Sequence, residues 1–425
     1  MRDWFVERRE VTEVVHQRSG LRVLPPGCER GYAIRRDVPG GQEQLWTEVA
    51  GGPLPTGALP SELLGPARVL LEPEPSPPDA TLLSEVARRL VDTAQAAGAA
   101  HLDVLLREVD QRILLADEQH RAEDRRHHAL LELKVFHPTS GGLAELWRCA
   151  AYPDGQALHA ALPLLEALVQ RMARQLDDTT PARPCPTGPL PVVFPPGSAS
   201  GCFFHEVCGH PLEGDVVARG GSYLARRLGQ RVAESFVSVS DDPTDGRGAL
   251  AYSCDDEGHP ARPVPLLQAG HVGTPLLDTR SARALGCTPN GHGRRVGFKH
   301  PPLARMAHTR VEPHQGDLEA LIADIPYGLL VRHLLPRHMN LLSGDFSFYI
   351  LEAQEIRDGD LGSLVSPGIL SGNGLEALAG IDAVGADYQN LFATRGCRKL
   401  DHGPLPVSFG QPTVRFRQLH VQPWR

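Results

Sequence analysis

The sequence predicts an α+β fold, and three observations carry the prediction. Residues 1–60 alternate charged with β-branched residues, as in VTEVVHQRSGLRVL and GYAIRR, and read as short antiparallel strands between Pro/Gly turns. Two later segments instead place apolar residues at helical spacing. Beyond a Pro-rich stretch at 179–189, the chain returns to strand-like runs separated by Gly-rich turns.

Taken in order, the run EPEPSPP at 72–78 interrupts the first strands. Thr81 is then placed to cap a helix with Leu83, Val86, Ala87, Leu90 and Ala94 on one face, ending at Gly98. LDVLLREV, RILLA and ALLELKVF follow as strands, with the polar stretch DEQHRAEDRRH between them read as a solvated loop. A second helix starts near Leu162 and runs through Leu165, Val169, Met172 and Leu176, since Pro163 suits a first helical position. It stops before DDTTPARPCPTGP, which marks the expected boundary between an N-terminal domain, 1–180, and a β-rich C-terminal domain, 190–425. LPVVF opens the second domain as a buried strand.

Composition narrows the class. With 41% hydrophobic and 22% charged residues the chain is an ordinary globular sequence. A net charge of −8 without a Lys/Arg block gives no footprint for nucleic acid. The start, MRDWFVERRE, is charged where a signal peptide needs an apolar core, and no apolar run approaches the roughly 18 residues that span a bilayer. A cytoplasmic protein without a membrane partner is expected. Its eight cysteines form no CxxC pair, which argues against a disulfide framework or a zinc ribbon.

The chemistry concentrates in GCFFHEVCGHPLEGD, residues 201–215, where His205 and His210 flank Glu206. The pattern differs from the HExxH zinc signature by one residue. On a regular α-helix positions five apart are about 140° apart and cannot face one ion. The turn must therefore be irregular: either a wide π-type turn or a helix ending at Gly209. Pro211 favours the second, because the residue before Pro avoids α geometry. Glu206, beside a ligand, could accept a proton from a water on the metal, and Glu213 or Asp215 could orient a histidine through its second nitrogen.

LPVVFPPGSASGCFFHEVCGHPLEGD resembles the HEAxGHxLEGD segment of the TldD branch of the TldD/PmbA family. In order along the chain, SVSDDPTDGRGALAYSCDDEGHP, LLDTRSARALG, HPPLARMAHTRVEP and RGCRKLDHGPLPVSFGQPTVRF are each similar to a family segment. The likeness is dense over 190–416 and reduces to a similar order of strands and helices over 1–180. It implies a zinc peptidase with metal ligands His205, His210 and Cys397, Glu206 as general base, and unfolded or short peptides as substrates. It also implies a partner, either a second copy or a PmbA-like paralogue. Where the family has a Gly-rich stretch this chain has HLLPRHMNLLSGDFSF, so a loop at 333–342 is expected to alter the pocket. That departure leaves room for a small-molecule amidase, and the family's pairing leaves room for a non-catalytic peptide-binding subunit. His300, His308, His333, His338 and His402 are further candidates for substrate contact, while Cys202 and Cys208 are read as small buried residues.

Overall fold

The computed structural model describes residues 2–38, 41–49, 59–72, 80–118, 120–139, 142–177, 183–245 and 250–424. Residues 73–78 of the first Pro-rich interruption and 179–182 of the second lie outside them. The fold is α+β, as the sequence predicts. Its first sheet is wholly antiparallel and is built from β1 (Arg2–Gln17), β2 (Gly20–Val23), β3 (Gly27–Val38), β4 (Gly41–Glu48), β5 (His101–Ala116), β6 (Arg121–Thr139) and β7 (Gly142–Tyr152). The order across the sheet is β4-β3-β1-β5-β6-β7, with β2 paired to the end of β1.

Among the described residues four helices accompany it: α1 (Ser61–Leu71), α2 (Thr81–Ala96), α3 (Gly155–Ala160) and α4 (Leu162–Asp177). The two long ones are those the periodicity predicts; α1 carries Pro66 and α3 is short, so neither has a readable pattern. Thr81 is the first helical residue rather than the cap, which is Ala80. The polar stretch at 117–127 is not a loop. From Arg121 onward it is strand, because its charges find partners across the ladder, as Arg125 does with Asp110.

Strand alternation divides the burial. Trp4, Val6 and Tyr32 point to the face covered by Leu63, Ala67 and Leu71 of α1. Phe5, Ala33, Ile113 and Leu115 point the other way, onto Cys254 and Phe298 of the later chain. Gly31 permits that approach, since a Cβ there would sit 2.3 Å from the Phe298 ring. Farther along, α2 and α4 cover Leu102, Val104, Leu106, Leu131 and Leu133.

The contact between this sheet and the rest of the chain is unusually charged for a buried surface. Arg35 pairs with Glu257, Arg126 with Asp256, and Glu7 accepts from the Phe298 N–H at 2.8 Å. Each of these carboxylates and guanidiniums has a partner, as burial of charge demands.

From residue 188 onward two further sheets of six and seven strands form among the described residues, with a two-stranded pair beside them. One has six strands in the order 271–272, 264–268, 239–241, 308–311, 402–411, 389–399. The other closes on itself. Its strands 327–339, 188–194, 414–423, 368–373 and 345–357 are neighbours in that order, and the last pairs again with the first. Phe203, on the turn that precedes the histidines, packs against Phe194, Phe346, Phe348 and Phe416 from three of these strands. The expected loop at 333–342 is instead the end of the strand Tyr327–Met339 and a tight turn, its backbone taken up by pairing with 345–357. No helix among the described residues is long and apolar enough to cross a membrane.

Candidate metal centre

The anchor for the site is local. Cys202–Phe204 begins a helical turn whose two phenylalanines are fully buried, so the residues that follow leave the barrel at a fixed point. His205–Gly209 then forms a π turn in which the His210 N–H bonds the His205 carbonyl five residues back. This is the first of the two geometries the spacing allows, not the one Pro211 favours: His210 keeps α geometry, φ −55° and ψ −40°, and Pro211 sits inside a short 3-10 turn, His210–Leu212. The wider turn brings residues five apart onto one side. The two imidazole rings are 5.0 Å apart.

Cys397 arrives from the strand 389–399, opposite Leu405. Gly396 before it has φ +63°, and a Cβ there would lie 2.4 Å from the Leu405 carbonyl oxygen, so glycine is what lets the strand kink Cys397 inward. One donor atom from each of His205, His210 and Cys397 lies within 4.8 Å of the others, and Cys397 Sγ is 3.4 Å from His210 Nε2. The Glu206 carboxylate lies 3.9 Å from His210 Nε2.

Both rings are held from behind. His205 Nδ1 lies 3.3 Å from Thr309 Oγ1, which donates to Asp241 Oδ2 at 2.8 Å. Thr309 therefore accepts from His205 Nδ1–H, and Nε2 keeps its lone pair. Asp241 is fully buried and also accepts from the Ala307 N–H and His292. His210 Nδ1 is 3.2 Å from Glu213 Oε2. Asp215 does not reach a histidine. It bonds Lys399, which also lies 3.0 Å from Glu213.

Arg305, buried, connects the two arms: it donates to the carbonyls of Cys397 and His402 at 2.8 Å each, and its Nε is 3.5 Å from Glu213 Oε1. Arg305, Thr309 and Asp241 escape spacing arguments because they lie far along the chain from the donors they support: Arg305 is 92 residues from Cys397, Thr309 is 104 from His205, and Asp241 acts through Thr309, 68 residues away. Only their presence in segments similar to the family's flags them.

The electrostatics follow from this packing. Burial pushes the Cys397 thiol up, but the two imidazoles outweigh it and hold the group well below its ordinary value. Burial alone would lower His210, yet Glu213, Cys397 and Glu206 raise it well above the usual range. Glu213 is driven down to about 2, burial being overcome by His210 and Lys399. Glu206 is raised, chiefly by burial, against the pull of His210 and His205.

The residues fit a metal ion. Two imidazole nitrogens and a thiolate are a donor set suited to zinc. His205 Nε2 is buried without a hydrogen-bond partner among the described residues, an expensive arrangement for a free nitrogen and a natural one for a ligand.

A cavity of about 300 Å³ opens beside Glu206, its walls drawn from both parts of the chain: Trp147 from β7 and His333 and Leu334 from 327–339. Of the five further histidines, His333 lines it. His308 is tied to Ser408 and Tyr388, His402 to Arg305, and His338 is exposed. His300 packs near His402. Cys202 and Cys208 are buried.

Residues 187–423, more than half the chain, match the family model described as the PmbA/TldA metallopeptidase C-terminal domain. The chain belongs to the TldD/PmbA family. Among the relatives of this TldD/PmbA chain, a metalloprotease of Methanothermobacter thermautotrophicus is 35% identical over 259 residues, 60% of this chain and 55% of the relative. A metalloprotease TldD homolog of Buchnera aphidicola (subsp. Schizaphis graminum) is 33% identical over 56% of this chain and 48% of its own length. A zinc metalloprotease TldD homolog of Saccharolobus solfataricus is 27% identical over 61% and 56%. The matches thus span about half the length of these relatives. The fold of TldE from Thermococcus kodakarensis covers 99% of this chain and 96% of that one, with a TM-score of 0.75 at 16% identity. A Thermotoga maritima chain, described as a proposed modulator of a DNA gyrase, gives 0.77 at 17%, with 99% and 96% covered.

Proposed function

We propose that this chain is a zinc-dependent metallopeptidase in which His205, His210 and Cys397 hold the metal and Glu206 is the general base. The observation that carries the reading is the convergence of three zinc-type donors beside a carboxylate, at the edge of an open cavity. Zinc in such a site supplies Lewis acidity to a carbonyl and brings the pKa of a water towards neutrality. Glu206 takes the proton from the attacking water and returns it to the leaving amine, a role suited to a carboxyl whose pKa burial has raised. Thr309 and Glu213 keep the imidazoles in the tautomer and orientation that presents Nε2.

Peptides, short or unfolded, are the proposed substrates. A second subunit, a copy of this chain or a PmbA-like paralogue, belongs to the same reading, as do a cytoplasmic setting and a division into two domains at 180–190. Metal analysis and peptide hydrolysis by two variants test the core of it. Glu206→Gln should retain about one zinc per chain and lose turnover by roughly 10²-fold or more, whereas His205→Ala should lose both. A Glu206→Gln protein that stays active with zinc bound removes Glu206 from its role; wild-type protein without zinc, never exposed to chelator, sinks the assignment.

A further inference from the structure

The cavity beside Glu206 has two kinds of wall. Two of the charged residues that reach it, Glu145 and Arg398, are exposed at its mouth, and Lys134 is half-buried. Deeper, Leu334, Leu391, Val407 and Phe409 are buried and apolar. Between mouth and depth stands an aromatic pair: Trp147 stacks on His333 with ring centroids 4.6 Å apart and planes 24° apart. The rings come from different sheets, Trp147 from β7 and His333 from the strand 327–339.

Both are clamped. Arg148, next to Trp147, makes a two-pronged ion pair with Glu352 at 2.8 and 3.1 Å, and Glu352 is the cross-strand partner of His333. On the other side of Arg148, Cys149 Sγ lies 2.6 Å from the Phe392 carbonyl oxygen. The stack is therefore a wall held from both sheets.

Resting on the peptidase reading above, we infer that the Trp147–His333 stack and the apolar wall beside it form a side-chain pocket that selects peptides with a bulky aliphatic or aromatic residue next to the bond cleaved. An ionised side chain entering that depth would give up water without a partner, whereas an apolar one gains with each methylene it buries. The cavity's charged side chains are Glu206 at the metal donors, the half-buried Lys134 and the exposed Glu145 and Arg398, while Leu334, Leu391, Val407 and Phe409 offer no polar partner.

The test uses the zinc-loaded full chain and peptides of one backbone sequence carrying Phe, Leu, Ala, Asp or Lys on either side of the bond. Phe or Leu at one position should give kcat/KM at least about 10-fold above Asp and Ala, the scale of discrimination an apolar pocket supplies. Trp147→Ala should shrink that ratio to within about 3-fold, while Trp147→Phe keeps most of it. His333→Lys should turn the preference towards Asp.

Equilibrium binding of the same peptides to zinc-loaded Glu206→Gln protein reads the pocket without turnover. Phe-peptides that bind selectively yet are never cleaved by wild type would remove the peptidase reading and leave the pocket standing. Cleavage or binding that ignores the flanking residue, or favours Asp in the wild type, overturns the pocket. So does an unchanged ratio in both Trp147→Ala and His333→Lys.

Discussion

At the scale of single residues the site depends on groups that never touch the metal position. Asp241 fixes Thr309, and through it the tautomer of His205. Asp241→Asn should weaken zinc binding by about 10–100-fold, the usual cost of losing a partner behind a histidine ligand, measured by competition with a chelator. Arg305 is the more demanding case, because its loss would strip hydrogen bonds from the Cys397 carbonyl and a cation from Glu213 at once. Arg305→Met should lower stability by roughly 3 kcal/mol or more, the range for breaking a buried pair, read from the urea midpoint. Neither residue was legible as a partner from the sequence. His205, Glu206 and His210 were, because their spacing is itself chemical information; Cys397 was not distinguishable from seven other cysteines by its surroundings in the chain and came only with the family resemblance.

At the scale of elements, the histidine turn is held by what precedes it and Cys397 by what adjoins it. Phe203→Ala would empty the contact with four phenylalanines and should cost about 3–5 kcal/mol, again in the urea midpoint. Gly396→Ala forces a Cβ onto a left-handed residue and against the Leu405 carbonyl. A cost of at least about 1–2 kcal/mol is expected from the backbone alone, with a fall in metal content as Cys397 is displaced. The sequence conveyed the elements unevenly for identifiable reasons. Helices α2 and α4 bury one face and so print a period; α1 contains Pro66, and the charged start of β6 pairs with charges on β5, so neither shows the pattern its structure has. The π turn was one of two possibilities that spacing left open, and the local bias before Pro211 pointed to the other. The i→i+5 bond and the packing of Gly209 against Met306 overrode it.

At the scale of the whole molecule, buried neutral histidines set the acid limit. Burial drives His128, His333 and His402 down to about 4, against an ordinary value near 6.5. Their folded values lie below the unfolded one, so the unfolded chain binds more protons between those limits and stability falls as pH drops from about 6.5 towards 4. Up to roughly 3 kcal/mol per histidine is at stake. Urea midpoints at pH 7 and pH 5 should differ accordingly, and His128→Gln should reduce the difference. The charged seam between the first sheet and the later chain is a second whole-molecule dependence. Arg35→Met would leave the buried Glu257 without its cation and take one of two from the partly buried Asp3, which keeps Arg295, and should cost about 3–5 kcal/mol, seen as an earlier calorimetric transition and faster proteolysis.

The closed ring of strands also fixes an order of events during synthesis. Its first strand in the chain, 188–194, is hydrogen-bonded to its last, 414–423, and Phe416 of that last strand is one of the four rings around Phe203. More than two hundred residues must leave the ribosome between the two. Until they have, the turn bearing His205 and His210 lacks part of its seat, and a nascent chain that already displays both histidines and Cys397 has no finished place for an ion. On the proposed zinc reading, metal capture would wait for that last strand, and chains stalled before residue 414 should emerge without metal.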